Sequence, residues 1–413
     1  MYTKTVKSLL EIKVHKIAML IIGIFLFYNM WYKYAYSERN IILYGTALAA
    51  TACALYDLFT SRSDIEEVFP MGVLVNLLMC VYSIITGLFV AKNHDVLFSA
   101  VKTYAAFSLV CLVICYISHR EGNIDWLLSI LIAVNISSAI YVLFRGSYYQ
   151  GYGNVLGPTQ NPNDLGLAMN IGLFCLAYKA RNNKGKRLLY YGLAVLFCYI
   201  IIDCGSRKCL IAAVLTLLAW FIPDAWQAWR KGNWMNRFIL LCLVAIILFS
   251  IGYYYQRIYI NTDIYNRMER LGSDDEGSSH FRKLFYQYAL DYFQEHPIFG
   301  IGLQQFRVWN PYHAYAHSTY AEAIADWGFI GCSIYFFPVI WAGFELIKKT
   351  IAKTDNMTKT VLALFAMEIF LGVGQIWFYE FQHLLIWTII YLFLKMNPEK
   401  QWIKEKQYIY VKA

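Results

Sequence analysis

The sequence predicts an all-α polytopic membrane protein with about 12 transmembrane helices and one long external loop that contains an amphipathic helix. Three observations predict it. Of 413 residues, 59% are hydrophobic and 15% charged, with a mean hydropathy of +0.43, a balance that excludes an ordinary soluble domain. Apolar runs of the ~20 residues that cross a hydrocarbon core recur along the whole chain rather than forming one anchor. Most of the 36 Lys and Arg fall in alternate connections, among them KARNNKGKR at 179–187 and KKTIAKTDNMTK at 348–359. That bias places those connections, and both termini, in the cytoplasm.

The elements follow in order. The first span, 17–35, comes after Lys13 and Lys16, is too long for a signal-peptide core and lacks a small-residue cleavage site, so it reads as a retained signal anchor. Spans at 41–59, 70–91, 97–117 and 126–144 are predominantly apolar runs. Then come 164–179, 188–204 and 208–222, of which the first and last are short enough to be half-helices inside a bundle. Span 238–256 closes a first block of nine helices, residues 1–256. Residues 257–316 are the one long polar stretch, external under this topology. Spans 317–345, 360–379 and 383–395, the last again short, complete residues 317–413 with a cytoplasmic tail. The ten cysteines lie in or beside spans, so no disulfide framework is implied. The net charge of +9 follows from the basic connections, and no nucleic-acid motif accompanies it.

Charge is costly in a membrane protein and collects where it acts. CGSRKC, 204–209, places Arg207 and Lys208 in a short turn between two spans, where a lone arginine ordinarily snorkels. In 277–302, Phe281, Leu284, Phe285, Tyr288, Ala289, Tyr292 and Phe293 recur at helical spacing. They predict an amphipathic helix over 279–296, capped by Ser278 or Ser279 and ended by Pro297, Gly300 and Gly302. Arg282 and Lys283 stand in its first turn, where cations oppose the helix dipole. They call for an anionic partner, a lipid headgroup being the plain one.

Residues 316–337, AHSTYAEAIADWGFIGCSIYFF, read as the start of a span. On a continuous helix His317, Ala321, Gly328 and Gly331 share one face, and Glu322 and Asp326 point away from it. Such small residues suit close helix packing. His280, His296, His313 and His383 are rival histidines on the same predicted side. Asn161-Pro162-Asn163-Asp164 reads as a helix start, with Asn161 as cap and Pro162 as first residue.

His317, Ser318, nine residues, Gly328, two residues and Gly331 resemble the His-[Asn/Ser/Gln]-x9-Gly-x-x-Gly pattern of the bacterial O-antigen ligases and surface-polysaccharide polymerases. The preceding order is similar too: Asn-Pro-Asn before a helix, Gly-Ser-Arg at a helix start, and a basic helix running into HPIFGIGLQQF. The resemblance covers about residues 157–340. It departs from the family's frequent Arg-x3-Leu, since Ile211 follows Arg207 at that spacing and Tyr286 follows Arg282.

The resemblance implies a GT-C-type membrane glycosyltransferase of the bacterial plasma (inner) membrane. It would act at the outer face on an undecaprenyl-pyrophosphate-linked oligosaccharide, among membrane lipids and with other polysaccharide-assembly proteins as partners. Under it Arg207 and Arg282 clamp the pyrophosphate, helped by Lys208 and Lys283, and His317 orients or deprotonates the acceptor hydroxyl. Glu322, Asp326 and Asn163 are left as acceptor-side or structural residues, and neither metal nor cofactor is expected. A polymerase would extend another lipid-linked repeat unit into O-antigen, capsule or exopolysaccharide. A ligase would transfer to a lipid core or other terminal acceptor. The Lys, Tyr and Ile content is that of many capsule and exopolysaccharide polymerases. A flippase of lipid-linked glycans is the rival from another class, but it would show paired halves or matching broken helices, and the sequence shows neither.

Overall fold

The computed structural model of the chain describes residues 2–31, 39–61, 68–145, 161–231, 277–352 and 356–396, with Trp234 and Arg237. Every regular element among them is a helix. In order these are α1 (Tyr2–Trp31), α2 (Arg39–Ser61), α3 (Met71–Val90), α4 (His94–Glu121), α5 (Asp125–Arg145), α6 (Pro162–Asn182), α7 (Arg187–Asp203) and α8 (Arg207–Lys231). There follow α9 (Gly277–Glu295), the four-residue α10 (Phe306–Trp309), α11 (Thr319–Ala352), α12 (Asn356–Leu371) and α13 (Phe381–Lys395). The expected span 238–256, the loop segment 257–276, residues 157–160 and the tail 397–413 lie outside the described residues.

Against the expectation of about twelve spans, five described helices are long and apolar enough to cross a membrane: Ile42–Thr60 of α2, α3, α4, Asp125–Phe144 of α5, and α11. Val14–Asn29 of α1 and the whole of α13 are apolar but shorter. The 15 residues of α13 rise only about 22 Å, short of a ~30 Å core. All but Lys395 are buried, as in a helix enclosed by protein on every side.

The chain divides into two units. The first contains Met1–Leu131, Leu284–Ala352 and Gly372–Ala413, and the second Ile132–Lys283 and Lys353–Leu371. In the first, α4 starts at Asn93, whose side chain accepts Val96 N–H at 3.1 Å, and stops at Gly122, which takes the left-handed C-cap conformation. Phe381 of α13 packs edge-on to Phe25 at 4.9 Å and against Phe107 at 5.4 Å. Oδ2 of the buried Asp57 carboxylate accepts from Tyr116 and lies 3.2 Å from Arg120 Nε, which pairs a charge otherwise costly to enclose.

In the second unit Asn161 caps α6 by accepting Asn163 N–H at 2.9 Å, with Pro162 as first residue, as its sequence predicts. Pro223 lies inside α8 and carries no N–H, so it leaves the Ala219 carbonyl without its helical donor. Arg181 of α6 supplies one. Its guanidinium donates to Ala219 O at 3.1 Å and Trp220 O at 2.9 Å, while Nε donates to Thr360 Oγ1 of α12 at 2.8 Å.

The expected span 360–379 is corrected. Helix α12 ends at Leu371, and the glycines of Gly-Val-Gly-Gln, 372–375, break the apolar run. Beyond it a short turn, Trp377–Tyr379, leads into α13. Carbonyls of the broken stretch are taken by Thr319, whose N–H donates to Gly372 O at 2.8 Å and Gln375 O at 3.0 Å.

Candidate active site

Two groups of sequence-predicted residues are built separately, one in each unit. In the second unit, Cys204-Gly205-Ser206 joins α7 to α8, so Arg207 and Lys208 are the first two residues of α8. Ser206 Oγ donates to Asn163 Oδ1 at 2.8 Å. Asn170 Nδ2 donates to both Gly166 O and Cys209 O at 2.9 Å. A Cβ at Gly166 would stand 2.8 Å from Cys209 Cβ and Sγ, so the first turns of α6 and α8 touch.

Two helix N-termini therefore lie side by side, and their amide ends add to the charge of Arg207 and Lys208, both half-buried. The Arg282 guanidinium acts on Lys208 as a like charge and the buried Asp164 carboxylate as the opposite one. Asn163, Arg207, Lys208 and Arg282 thus share one electropositive neighbourhood. On α9, Arg282 is half-buried and Lys283 exposed.

The predicted amphipathic helix appears as α9, one or two residues displaced, and from Leu284 onward it belongs to the first unit. Its apolar face centres on Phe285 and Ala289, which pack with Ile301, Phe306, Ala316 and Ala325. Phe281, at the edge of that face, is 41% exposed. Tyr292 packs edge-on to Phe306 and Trp309. Burial, with Tyr288, Glu295 and Asp291 beside it, pushes its phenol up to about 12.

The single-helix geometry expected for 317–345 is corrected. Helix α11 starts at Thr319 and is broken at Gly328, whose φ of 60° and ψ of −164° are non-helical. The break exchanges hydrogen bonds with the loop 297–302. Phe329 and Ile330 N–H would donate to Ala325 and Asp326 O in an unbroken helix. They donate instead to Pro297 O at 2.8 Å and Ile298 O at 3.1 Å, and the two released carbonyls accept Ile301 and Gly302 N–H, each at 2.9 Å. Trp327 O takes the Tyr82 hydroxyl at 2.9 Å. His317, Ala321, Gly328 and Gly331 consequently do not lie on one continuous helical face. Gly331 does serve close packing, since a Cβ there would come within 2.7 Å of the Tyr82 ring.

Glu322 and Asp326 have defined structural tasks and are both 0% exposed. Asp326 accepts Gln304 N–H at 2.7 Å and Phe306 N–H at 3.0 Å, which holds the turn that opens α10. Glu322 Oε2 accepts Ala316 N–H at 2.5 Å. Tyr379 places its single hydroxyl hydrogen between Glu322 Oε1, at 2.7 Å, and Asp326 Oδ2, at 3.0 Å.

His317 precedes α11 with a φ of 58°. Its ring lies 4.1 Å from the Tyr315 ring and is stacked at 6.2 Å on Phe285. Among the described residues, the non-glycine residues with positive φ are Gln304, His313 and His317, all in this one loop. Backbone held in that region costs free energy and concentrates at functional sites. Of the rival histidines, His383 is buried in α13, while His280, His296 and His313 are not buried.

Tyr379 and Thr319 carry much of this construction, and neither was singled out in the sequence. The Gly-Val-Gly-Gln break inside an apolar run was the available signal. Residues 192–336 match a family model described as O-antigen ligase. No curated protein matches the chain.

Proposed function

We propose that this membrane protein, whose residues 192–336 match the O-antigen ligase family model, polymerises lipid-linked oligosaccharide repeat units by glycosyl transfer from undecaprenyl pyrophosphate. The observation that carries the reading is the junction of the α6 and α8 N-termini, tied by Ser206 and Asn163. Arg207 and Lys208 stand on it, and Arg282 lies in its field. Juxtaposed helix N-termini and guanidinium groups suit a doubly charged oxyanion.

In this reading the acceptor hydroxyl oxygen attacks the anomeric carbon, and the bond from that carbon to the pyrophosphate oxygen breaks. The departing pyrophosphate takes the bonding electrons. Arg207 and Arg282, with Lys208 and Lys283, stabilise the charge that grows on it. His317 orients the acceptor and receives its hydroxyl proton. Glu322 and Asp326 shape the loop that carries His317, and Asn163 fixes the Arg207 turn. The chemistry is assigned to the outer face of the plasma membrane of a bacterium, with both termini in the cytoplasm.

About twelve spans in a GT-C-type arrangement, in blocks 1–256, 257–316 and 317–413, belong to the same proposal. The membrane lipids, the lipid-linked donor and acceptor, and polysaccharide-assembly proteins are its partners. The description of the family match favours a second reading, ligation of the finished glycan to a lipid core or other terminal acceptor. Incubating the purified protein in lipid nanodiscs with the host's lipid-pyrophosphate-linked oligosaccharide alone separates the two. A ladder of lengthening glycans is expected; intact donor that is consumed only when a lipid-core acceptor is added would establish the ligase instead.

A further inference from the structure

We infer that Tyr379 is a positioning residue for His317, acting through the Glu322 carboxylate; the inference rests on the role proposed above for His317. The Tyr379 hydroxyl donates to Glu322 Oε1 at 2.7 Å, and Glu322 Oε2 accepts the N–H of Ala316, the residue immediately before His317, at 2.5 Å. On the other side of His317, Thr319 is anchored to the same segment that carries Tyr379. Its N–H reaches Gly372 O and Gln375 O. Its hydroxyl donates to Gln375 O at 2.7 Å and accepts Trp377 N–H at 3.0 Å.

The residues flanking the histidine are therefore both pinned to 372–379, directly at Thr319 and through Glu322 at Ala316. Between these pins His317 holds its φ of 58°, a conformation an L residue keeps only where its surroundings over-determine it. The pinned backbone sets the imidazole against Tyr315 and Phe285. The same hydroxyl reaches Asp326, which fixes the N–H groups of Gln304 and Phe306. One phenol thus links the peptide between Tyr315 and Ala316, next to the histidine, to the loop in front of it. Tyr379 lies beyond the family match at 192–336.

Tyr379→Phe keeps the ring and removes only the link, and it is tested in the full chain in nanodiscs by two readouts. The first needs no substrate: diethyl pyrocarbonate modification of each histidine, followed by mass spectrometry, with exposed His94 and His280 as internal references. Modification of His317 is expected to accelerate severalfold while His94 and His280 keep their rates. The second is turnover of the lipid-linked oligosaccharide, in which kcat is expected to fall on the order of tenfold, as for a small misplacement of a reacting group, with KM for the donor unchanged. A phenol needed only for folding would lower the yield or Tm and leave kcat per folded molecule and the His317 rate as in the wild type. That result overturns the inference.

Glu322→Gln, which retains an acceptor oxygen for Ala316, is expected to lose less than Glu322→Ala in both readouts; equal losses also overturn it. Faster His317 modification in Tyr379→Phe, together with full activity of His317→Ala, upholds the link and removes His317 from the chemistry.

Discussion

Gly300 and Gly328 approach each other so closely that a Cβ on Gly328 would lie 2.5 Å from Gly300 N, and one on Gly300 would lie 2.6 Å from Gly328 N. Around this contact the broken helix α11 and the loop 297–302 exchange four backbone hydrogen bonds. The first glycine of Gly-x-x-Gly is thus a break in the helix that lets another loop complete its backbone, and the second is a seat for Tyr82.

Gly328→Ala is expected to be severe. The residue has φ 60° and ψ −164°, a region essentially restricted to glycine, and non-glycine occupancy costs about 1–3 kcal/mol before any clash. Gly300→Ala meets backbone atoms of Asp326 and Gly328 and should behave likewise. Gly331→Ala should be milder, because Gly331 lacks the positive φ of Gly300 and Gly328, although a Cβ there would still crowd Trp327 Cβ at 2.6 Å and the Tyr82 ring at 2.7 Å. Thermal unfolding of the three variants in one detergent gives the order; a Gly328→Ala protein as stable as the wild type would contradict the exchange.

Arg181→Ala should destabilise the second unit by about 2–4 kcal/mol, since two hydrogen bonds from a charged group to carbonyls, one of them opened by Pro223, are lost with the bond to Thr360. Arg181→Lys should recover only a minor part, because an ammonium cannot reproduce the planar fork. Denaturation midpoints of the two variants check this, and full recovery by lysine would show that charge alone suffices.

Asp326→Asn should cost less than Asp326→Ala. The N–H groups of Gln304 and Phe306 donate to different oxygens of Asp326, so asparagine keeps an acceptor for one of them, whereas alanine leaves both without one, at about 1–3 kcal/mol for each buried unsatisfied group. Unfolding of both variants measures the difference, and equal stability of Asp326→Ala and wild type would remove the carboxylate from the turn.

The all-helical class, the α9 helix and the capped start of α6 were legible in the sequence because each is a local signal: apolar run length, a repeating face, and Asn-Pro-Asn chemistry. The α11 kink was not. Its cause is a loop nearly thirty residues earlier whose N–H groups outcompete the helix's own, and a helical wheel contains no term for that. The role of Tyr379 was hidden for a similar reason, since its hydroxyl acts on residues more than fifty positions away. Glu322 and Asp326 looked ambiguous because burial, which makes their hydrogen bonds obligatory, is a property of the fold.

The most direct test of the proposed chemistry compares donor binding and turnover in Arg207→Ala, Arg282→Ala and His317→Ala, each in nanodiscs. Undecaprenyl pyrophosphate is the binding probe and the lipid-linked oligosaccharide the substrate. The account predicts that both arginine variants lose affinity for the pyrophosphate and turnover together, while His317→Ala binds as the wild type does and fails to transfer. Unchanged affinity and turnover in both arginine variants, or loss of pyrophosphate binding in His317→Ala, would contradict it.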